Sequence, residues 1–459
     1  MIQKERIHFV NDFEVKETGK CVVYWMEQSM RSEFNYALEY AILRANELKM
    51  PLLVFYALPL SYPQANWRQY QFILEGLAEL VNALTERGIK LVVRVGKVVE
   101  MVSEFCFEVE AALLVTDKSY LNIGRKWREE VKKKLSFRII EVEGDVVVPV
   151  ELVSNKEEFA ARTIRPKILK YRDTFLRILK PNKIDFSSDH LKFSGELNLR
   201  NIDEIIADLK IDRTVGPGFL RGGRSQAVWH LKEFLTKSGY AEQRNQPTRP
   251  ALSNMSPYLR HGQISAVEIA LRVRDSGQKG ILAKADVDAY LEELIVRREL
   301  SMNFCHFNKF YSQFKKAVPN WARISLNEHV SDKREYIYRP EQFEKALTHD
   351  EIWNACQNEM VKSGKMHGYM RMYWGKKILE WSATPEEAFD TAIYLNDKYE
   401  LDGFDPNGYT GVAWCFGKHD RPWGPERPIF GLVRYMNDAG IKRKIKDWKA
   451  YVEKWNSMI

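Results

Sequence analysis

The chain has no run of 18 apolar residues, so no membrane-spanning helix is expected. Its first residues, MIQKERIHFVNDFEV, lack the apolar stretch of a secretory leader. Cysteine is scarce: Cys21, Cys106, Cys305, Cys356 and Cys415 make five, an odd number with no C-x-x-C pair. That pattern supplies neither a zinc site nor a disulfide frame, and it reads as reduced, mostly buried thiols of a cytoplasmic protein. No G-x-G-x-x-G follows the first apolar run, so the usual dinucleotide fingerprint is missing. There is no internal repeat and no low-complexity tract.

What is present fits a globular protein of two or three domains: 459 residues, 45% of them apolar. Lysine and arginine outnumber aspartate and glutamate, 70 to 62, giving a net charge of +8. This mild excess fits a polyanion partner, and basic residues gather in RYMNDAGIKRKIKDWK, 434–449. A solvated helix face accounts for such a cluster about equally well.

Over residues 1–150, short apolar runs alternate with amphipathic stretches. The runs are CVVYW (21–25), LLVFYA (52–57), LVVRV (91–95), ALLVTD (112–117) and RIIEVEGDVVVPV (138–150). Helical patterns fill 34–48, 68–87, 97–108 and 122–135. This rhythm predicts an α/β domain, a parallel sheet covered by helices on both faces. Residues 151–225 read as an interdomain linker, with a basic helix around Ile164–Lys180, a Pro-Asn-Lys break at 181–183 and a Gly-rich stretch, VGPGFLRGGR. From 226 to 459 helical periodicity dominates, interrupted at Gly239, Asn245–Pro250, Gly277–Gly280, Pro319, Pro385 and Asp402–Gly408, which predicts an all-helical domain.

The most informative segment, WNACQNEMVKSGKMHGYMRMYWGKKILEW, runs from Trp353 to Trp381. Gly368 to Trp381 reads as one helix, with Trp374 and Trp381 on one face and Arg371 at its border. Tryptophans at helical spacing are most often core. The segment nevertheless resembles the photolyase/cryptochrome family and, within it, the class II cyclobutane-pyrimidine-dimer photolyases. WNA-x-Q-x-E-M, GKMHGYMRMYW-x-KKILEW and YLNDKYELDG-x-DPNGY-x-G-x-AW carry the resemblance, which extends to LSNMSPYL-x-x-GQIS (252–265), RRELSMNFC (297–305) and RYMNDAG-x-KRK (434–444). It covers nearly all the chain after about residue 230.

The resemblance implies a fold and a chemistry. The fold is an N-terminal α/β domain, Rossmann-like and of photolyase antenna type, followed by an all-α FAD-binding catalytic domain. Phosphate contacts to FAD fall on Leu252, Ser253, Asn254 and Ser256, with Tyr240 upstream; the ordinary alternative for Ser and Asn before a Pro-started helix is capping alone. Arg371 and Asp402 form a salt bridge over the flavin, and Asn396 faces its N5. Trp374, Trp353 and Trp381, in that order from the flavin outward, form an electron relay that photoreduces it. Glu293, Met372 and Trp414 line the lesion pocket; taken alone, Glu293 is more simply the i,i+4 partner of Arg297. Arg244, Arg421 and Arg434 match basic positions near the lesion or its phosphates. The chain departs from the pattern at Arg297, where some class II members carry a second lesion-facing tryptophan. The turn CFGKHD (415–420) is also one residue shorter than in some relatives.

The implied function is light-driven repair of cyclobutane pyrimidine dimers by electron transfer from reduced FAD to a flipped-out lesion. It needs no metal. The partner is UV-damaged DNA, bound by a monomer, in the cytoplasm or at the nucleoid of a prokaryote. A deazaflavin is the first choice for an antenna chromophore. Two alternatives share the fold: a cryptochrome-type blue-light receptor, disfavoured by the short segment after KRK and by the intact Glu293–Met372–Trp414 set, and a 6–4 photoproduct photolyase, for which His367 does not discriminate.

Overall fold

The computed structural model describes residues 2–60, 66–249 and 251–457. Six strands form one sheet: β1 (Ile7–Phe9), β2 (Cys21–Trp25), β3 (Leu52–Pro59), β4 (Lys90–Gly96), β5 (Ala111–Asp117) and β6 (Ile139–Val142). Their order across the sheet is β1-β6-β5-β2-β3-β4, and every pair is parallel except β1 with β6. Helices Tyr36–Leu48, Trp67–Thr85, Val98–Glu108 and Asn122–Lys134 make the crossovers, within two residues of the sequence expectation. Side chains along a strand alternate between faces, and β2 shows the result. Val22 and Tyr24 enter one core with Val54 of β3, while Cys21, Val23 and Trp25 enter the other with Leu53 and Phe55. Burial on both faces is why these strands read as unbroken apolar runs.

Two strand expectations need correction. The run 138–150 yields only the four residues of β6. Beyond it the buried Arg6 guanidinium donates to the carbonyls of Glu143, Val146 and Val147, which satisfies backbone that would otherwise need a ladder. The edge strand β1 had no counterpart in the sequence reading, because three residues carry no measurable alternation.

Within residues 151–225, helix Ala161–Phe175 takes the place of the basic helix and stops before the expected break. The following chain stays on the α/β body: Leu197 donates to Val93 O of β4 at 2.9 Å. Gly222 passes so close to the helix Trp67–Thr85 that a Cβ there would lie 2.0 Å from Phe72 O. Arg68 of the same helix is buried and reaches across the molecule, donating to the carbonyls of Tyr399 at 2.6 Å and Met360 at 3.1 Å.

After residue 223 the described regular elements are helices. Among them are Lys284–Leu291, continued through a turn at 292–297 into Arg298–Phe307, then Glu351–Ser363, Gly368–Trp381, Pro385–Tyr399 and Pro406–Cys415. Pro385 and Pro406 each occupy the first helical position behind a capping Thr384 or Asp405, so both prolines start helices. Pro250, the end of one expected interruption, lies outside the described residues. Among the described residues no helix is long and apolar enough to cross a membrane.

Candidate functional site

A cavity of about 700 Å³ opens among these helices. Its floor is built by the helix Gly368–Trp381 and the loop after Tyr399. Arg371 projects from that helix and meets two carboxylates, Asp402 Oδ1 at 2.8 Å and Glu400 Oε2 at 2.7 Å. Lys365 lies beside them and donates to Ser256 Oγ at 3.1 Å. Burial opposes every charge in this group, and the charges settle it among themselves. Arg371 is held above its ordinary value: burial works against it, and Asp402 and Glu400 outweigh burial. Asp402 is held below its ordinary value, since Arg371 and Lys365 overcome burial. Glu400 goes the other way; burial pushes it up to about 8 against the pull of Arg371. Burial likewise pushes Lys365 down, against the pull of Asp402 and Glu400, so the Arg371–Asp402 pair is the ion pair that burial leaves in place.

One wall is the segment before the short helix Ser256–Arg260. The capping alternative for Ser253 and Asn254 does not hold: the cap position is Met255, with no side-chain cap bond. Ser253 Oγ instead accepts from Tyr290 OH at 2.9 Å, and Asn254 adopts φ +57. Leu252, Ser253, Asn254, Ser256 and Tyr240 all line the cavity.

The mouth carries Glu293, Arg297, Met372, Trp414, Arg244 and Arg434. Here the i,i+4 pairing of Glu293 with Arg297 is corrected. Residues 292–297 form a wider π turn, a local winding frequent at functional sites. Five-residue spacing sets Arg297 over Glu292, with Nε 3.3 Å from Oε1, and Glu292 also takes a two-pronged contact from Arg165. Glu293 is thereby free to pair with Arg244, Nη1 to Oε1 at 2.7 Å. The Arg297 guanidinium stands 5.3 Å from the Trp414 ring centroid.

Five expected residues lie off the cavity wall: Asn396, Arg421 and the three tryptophans. Asn396 is buried behind Gly408: its amide donates to Asp397 at 3.0 Å, and a Cβ on Gly408 would stand 2.8 Å from that amide nitrogen. The missing side chain at 408 is what keeps Asn396 next to the cavity. Trp374 is buried one turn past Arg371, its indole donating to Gln357 at 2.8 Å. Arg421 lies outside the cavity and packs on Trp423, whose ring Arg434 also covers, both at 4.9 Å. Trp353 Nε1 donates to the Trp374 carbonyl at 3.0 Å, and the Trp353 and Trp381 rings are 6.2 Å apart, edge to face. Trp381 ends beside a surface pocket. All three belong to the hydrophobic core of the helical region.

Sequence reasoning missed Lys365, Glu400, Glu292 and Arg165. The first two stand inside the quoted motifs, GKMHGYMRMYW and YELDG, where their signal was available; the last two have none.

Comparison with known proteins places this arrangement. A family model described as DNA photolyase matches residues 22–184. A deoxyribodipyrimidine photo-lyase of Methanothermobacter thermautotrophicus is 47% identical over 97% of both chains. One of Arabidopsis thaliana is 43% identical over 94% of this chain and 88% of its own. An archaeal photolyase structure from Sulfolobus tokodaii, solved with two FAD molecules, superposes with a TM-score of 0.69 at 16% identity, over 95% of this chain and 90% of that one. The chain belongs to the photolyase/cryptochrome family. Within it, it is an enzyme of the photolyase kind, as its curated relatives at 36–47% identity are.

Proposed function

We propose that this enzyme repairs cyclobutane pyrimidine dimers in UV-damaged DNA, by light, as a class II photolyase. The observation that carries the reading is the single cavity with two unlike ends: a floor where the Arg371 guanidinium meets Asp402 and Glu400, and a mouth where Met372 and Trp414 offer apolar surface between arginines. The division of the chain follows: residues 1–150 as antenna-type domain, 151–225 as linker and 226–459 as catalytic domain.

FAD fits the floor. The volume, about 700 Å³, suits a dinucleotide-sized ligand. Tyr240, Leu252, Ser253, Asn254 and Ser256 would hold its phosphates, and Arg371 with Lys365 supplies positive charge to an anionic group. Asn396, beside the cavity behind Gly408, would orient the ring system by a hydrogen bond. When bound and reduced, FAD supplies the photoexcited electron that opens the two cyclobutane bonds and is then returned to it.

The protein's own residues do the rest. Arg244 and Arg434, with Arg421 on the neighbouring loop, dock phosphates without reading sequence. The damaged pair, weakly stacked already, flips into the mouth at reduced cost. There the Trp414 face and the Met372 thioether receive its saturated rings. Glu293 leaves Arg244 to the DNA and turns to the pyrimidine edges, and Arg297 takes the place of a second tryptophan. Trp374, Trp353 and Trp381 deliver electrons from the surface to a resting, oxidised cofactor.

A second chromophore belongs at the C-terminal ends of β2, β3 and β5, beside the switch in strand order. The cleft there holds about 100 Å³, so a deazaflavin enters only as the lining side chains move apart.

The deciding experiment is dimer loss from a UV-damaged oligonucleotide with reduced, FAD-loaded protein, under blue light and in matched darkness. Repair in light alone is expected. No repair in light, with FAD bound and reducible, overturns the reading and turns the test to 6–4 substrate and to photoreceptor signalling.

A further inference from the structure

A second pocket, of about 360 Å³, is walled by the turn that follows Trp414. It has no part in the chemistry above. Lys315, Lys316, Arg323 and Lys418 line it, and the one carboxylate among its lining residues, Glu157, is already paired with Lys418. Lys315 reaches Glu386 at 3.2 Å across open surface. Lys316 and Arg323 have no carboxylate partner among the described residues.

The nine-residue helix Asn320–Glu328 starts at this pocket, behind Pro319 and with no side-chain cap. Pro319 O takes the amides of Ala322 and Arg323. The Asn320 and Trp321 amides have no acceptor among the described residues. Unpaired amides and the positive end of a helix dipole favour an anion.

The independent sign of a ligand is His419, which lines the pocket and is 7% exposed. Its Nδ1 lies 2.8 Å from the Phe159 carbonyl, which can only accept, so the ring proton is on Nδ1. Nε2 is then left buried with no partner. A buried orphan of this kind costs about 1–3 kcal/mol unless something meets it.

We propose that this pocket binds a phosphate group. The helix amides supply its positive surroundings together with Lys316 and Arg323, the latter held by the Lys315 carbonyl at 3.2 Å and Asn320 Oδ1 at 2.7 Å but by no carboxylate. Nε2 of His419 accepts from a phosphate hydroxyl or, once protonated against the anion, donates to it. Without that counter-charge, burial together with Lys418 and Arg297 drives the His419 imidazole down to about 3. The same ring stands edge-on to Trp414, centroids 6.2 Å apart, so an occupied pocket braces the lesion-facing tryptophan from behind.

Two sources carry this chemistry, a DNA backbone phosphate beside the lesion and free phosphate. Only the DNA arm of the test rests on the repair reading, so the two can fail separately. The full chain, 15N-labelled at its nine histidines, is titrated with inorganic phosphate and compared with chloride at equal ionic strength. One imidazole pair of signals should shift, absent in His419→Gln and unshifted in Lys316→Ala/Arg323→Ala. In parallel, the salt dependence of duplex binding is measured for the same double variant, whose substituted side chains lie at the surface. Loss of one phosphate contact lowers the slope of log K against log salt by about 0.9. A lowered slope without a phosphate shift assigns the site to DNA, and a shift with an unchanged slope assigns it to free phosphate. If neither changes, the proposal is overturned.

Discussion

Two arginine–carboxylate groups share one cavity, and their depth separates what they can do. On the floor, Arg371, its side chain 25% exposed, meets Asp402 and Glu400, both nearly inaccessible to solvent. At the mouth, Arg244 and Glu293 pair at the same distance, 2.7 Å, but with side chains 31% and 42% exposed. Water screens the second pair, so it forms and breaks at little cost. The first is held, because the buried Asp402 carboxylate would be stranded without the guanidinium. A fixed charge field suits a resident cofactor. A pair that opens suits a substrate that comes and goes.

The predictions press on this contrast. The largest effect lies behind the floor: Trp374→Phe should abolish photoreduction of oxidised flavin while chemically pre-reduced enzyme still repairs, followed by flavin absorbance under illumination. Equal loss of both activities would remove the relay from the account. Arg371→Met strands the buried Asp402 carboxylate, and urea unfolding of the flavin-free protein should show a loss of about 3–5 kcal/mol. A loss below 1 kcal/mol would mean that floor and mouth do not differ.

The floor should also respond to pH. Glu400 has a folded value of about 8, above its ordinary 4.5. The native state therefore keeps a proton that the unfolded chain has released. Its contribution is full below pH 4.5 and is lost as pH rises towards 8, by at most about 1.4 kcal/mol per pH unit. Glu400→Gln should flatten the stability curve across that window relative to the parent. Buried Glu299, also raised to about 8, leaves a residual slope in both proteins. Identical curves would place Glu400 as an ion in the folded state.

The smallest stability effect belongs to the mouth. Arg244→Ala should cost about 1 kcal/mol or less in unfolding, while weakening binding to damaged duplex and reducing its salt dependence. A loss as large as that of Arg371→Met would show that the mouth pair is structural.

Much of this was legible from local pattern. The apolar runs marked five of the six strands, and the stretch 368–381 marked its helix, because side-chain periodicity follows backbone geometry directly. The pairing of Arg371 with Asp402 followed from resemblance and from the rule that buried charges need partners. Long-range pairings were not legible. Arg244 and Glu293 are 49 residues apart, and no local rule joins them. The local rule that did apply, i,i+4 pairing, failed because the backbone widens into a π turn at 292–297 and moves Arg297 onto Glu292.

The sequence by itself determined the layout: a parallel sheet, then helices, with the tryptophans and charged residues on motifs that resembled a known family. These depend on the order of residues along a helix or strand, which neighbours in the chain control. Only the tertiary structure decided that Glu400 joins Arg371, that Asn396 sits behind Gly408, that Arg68 ties the α/β half to the helical half, and that His419 is left with a bare nitrogen. Each depends on burial and on which distant groups meet, and the free energy of a charge or a polar atom is set by those surroundings rather than by its neighbours in sequence.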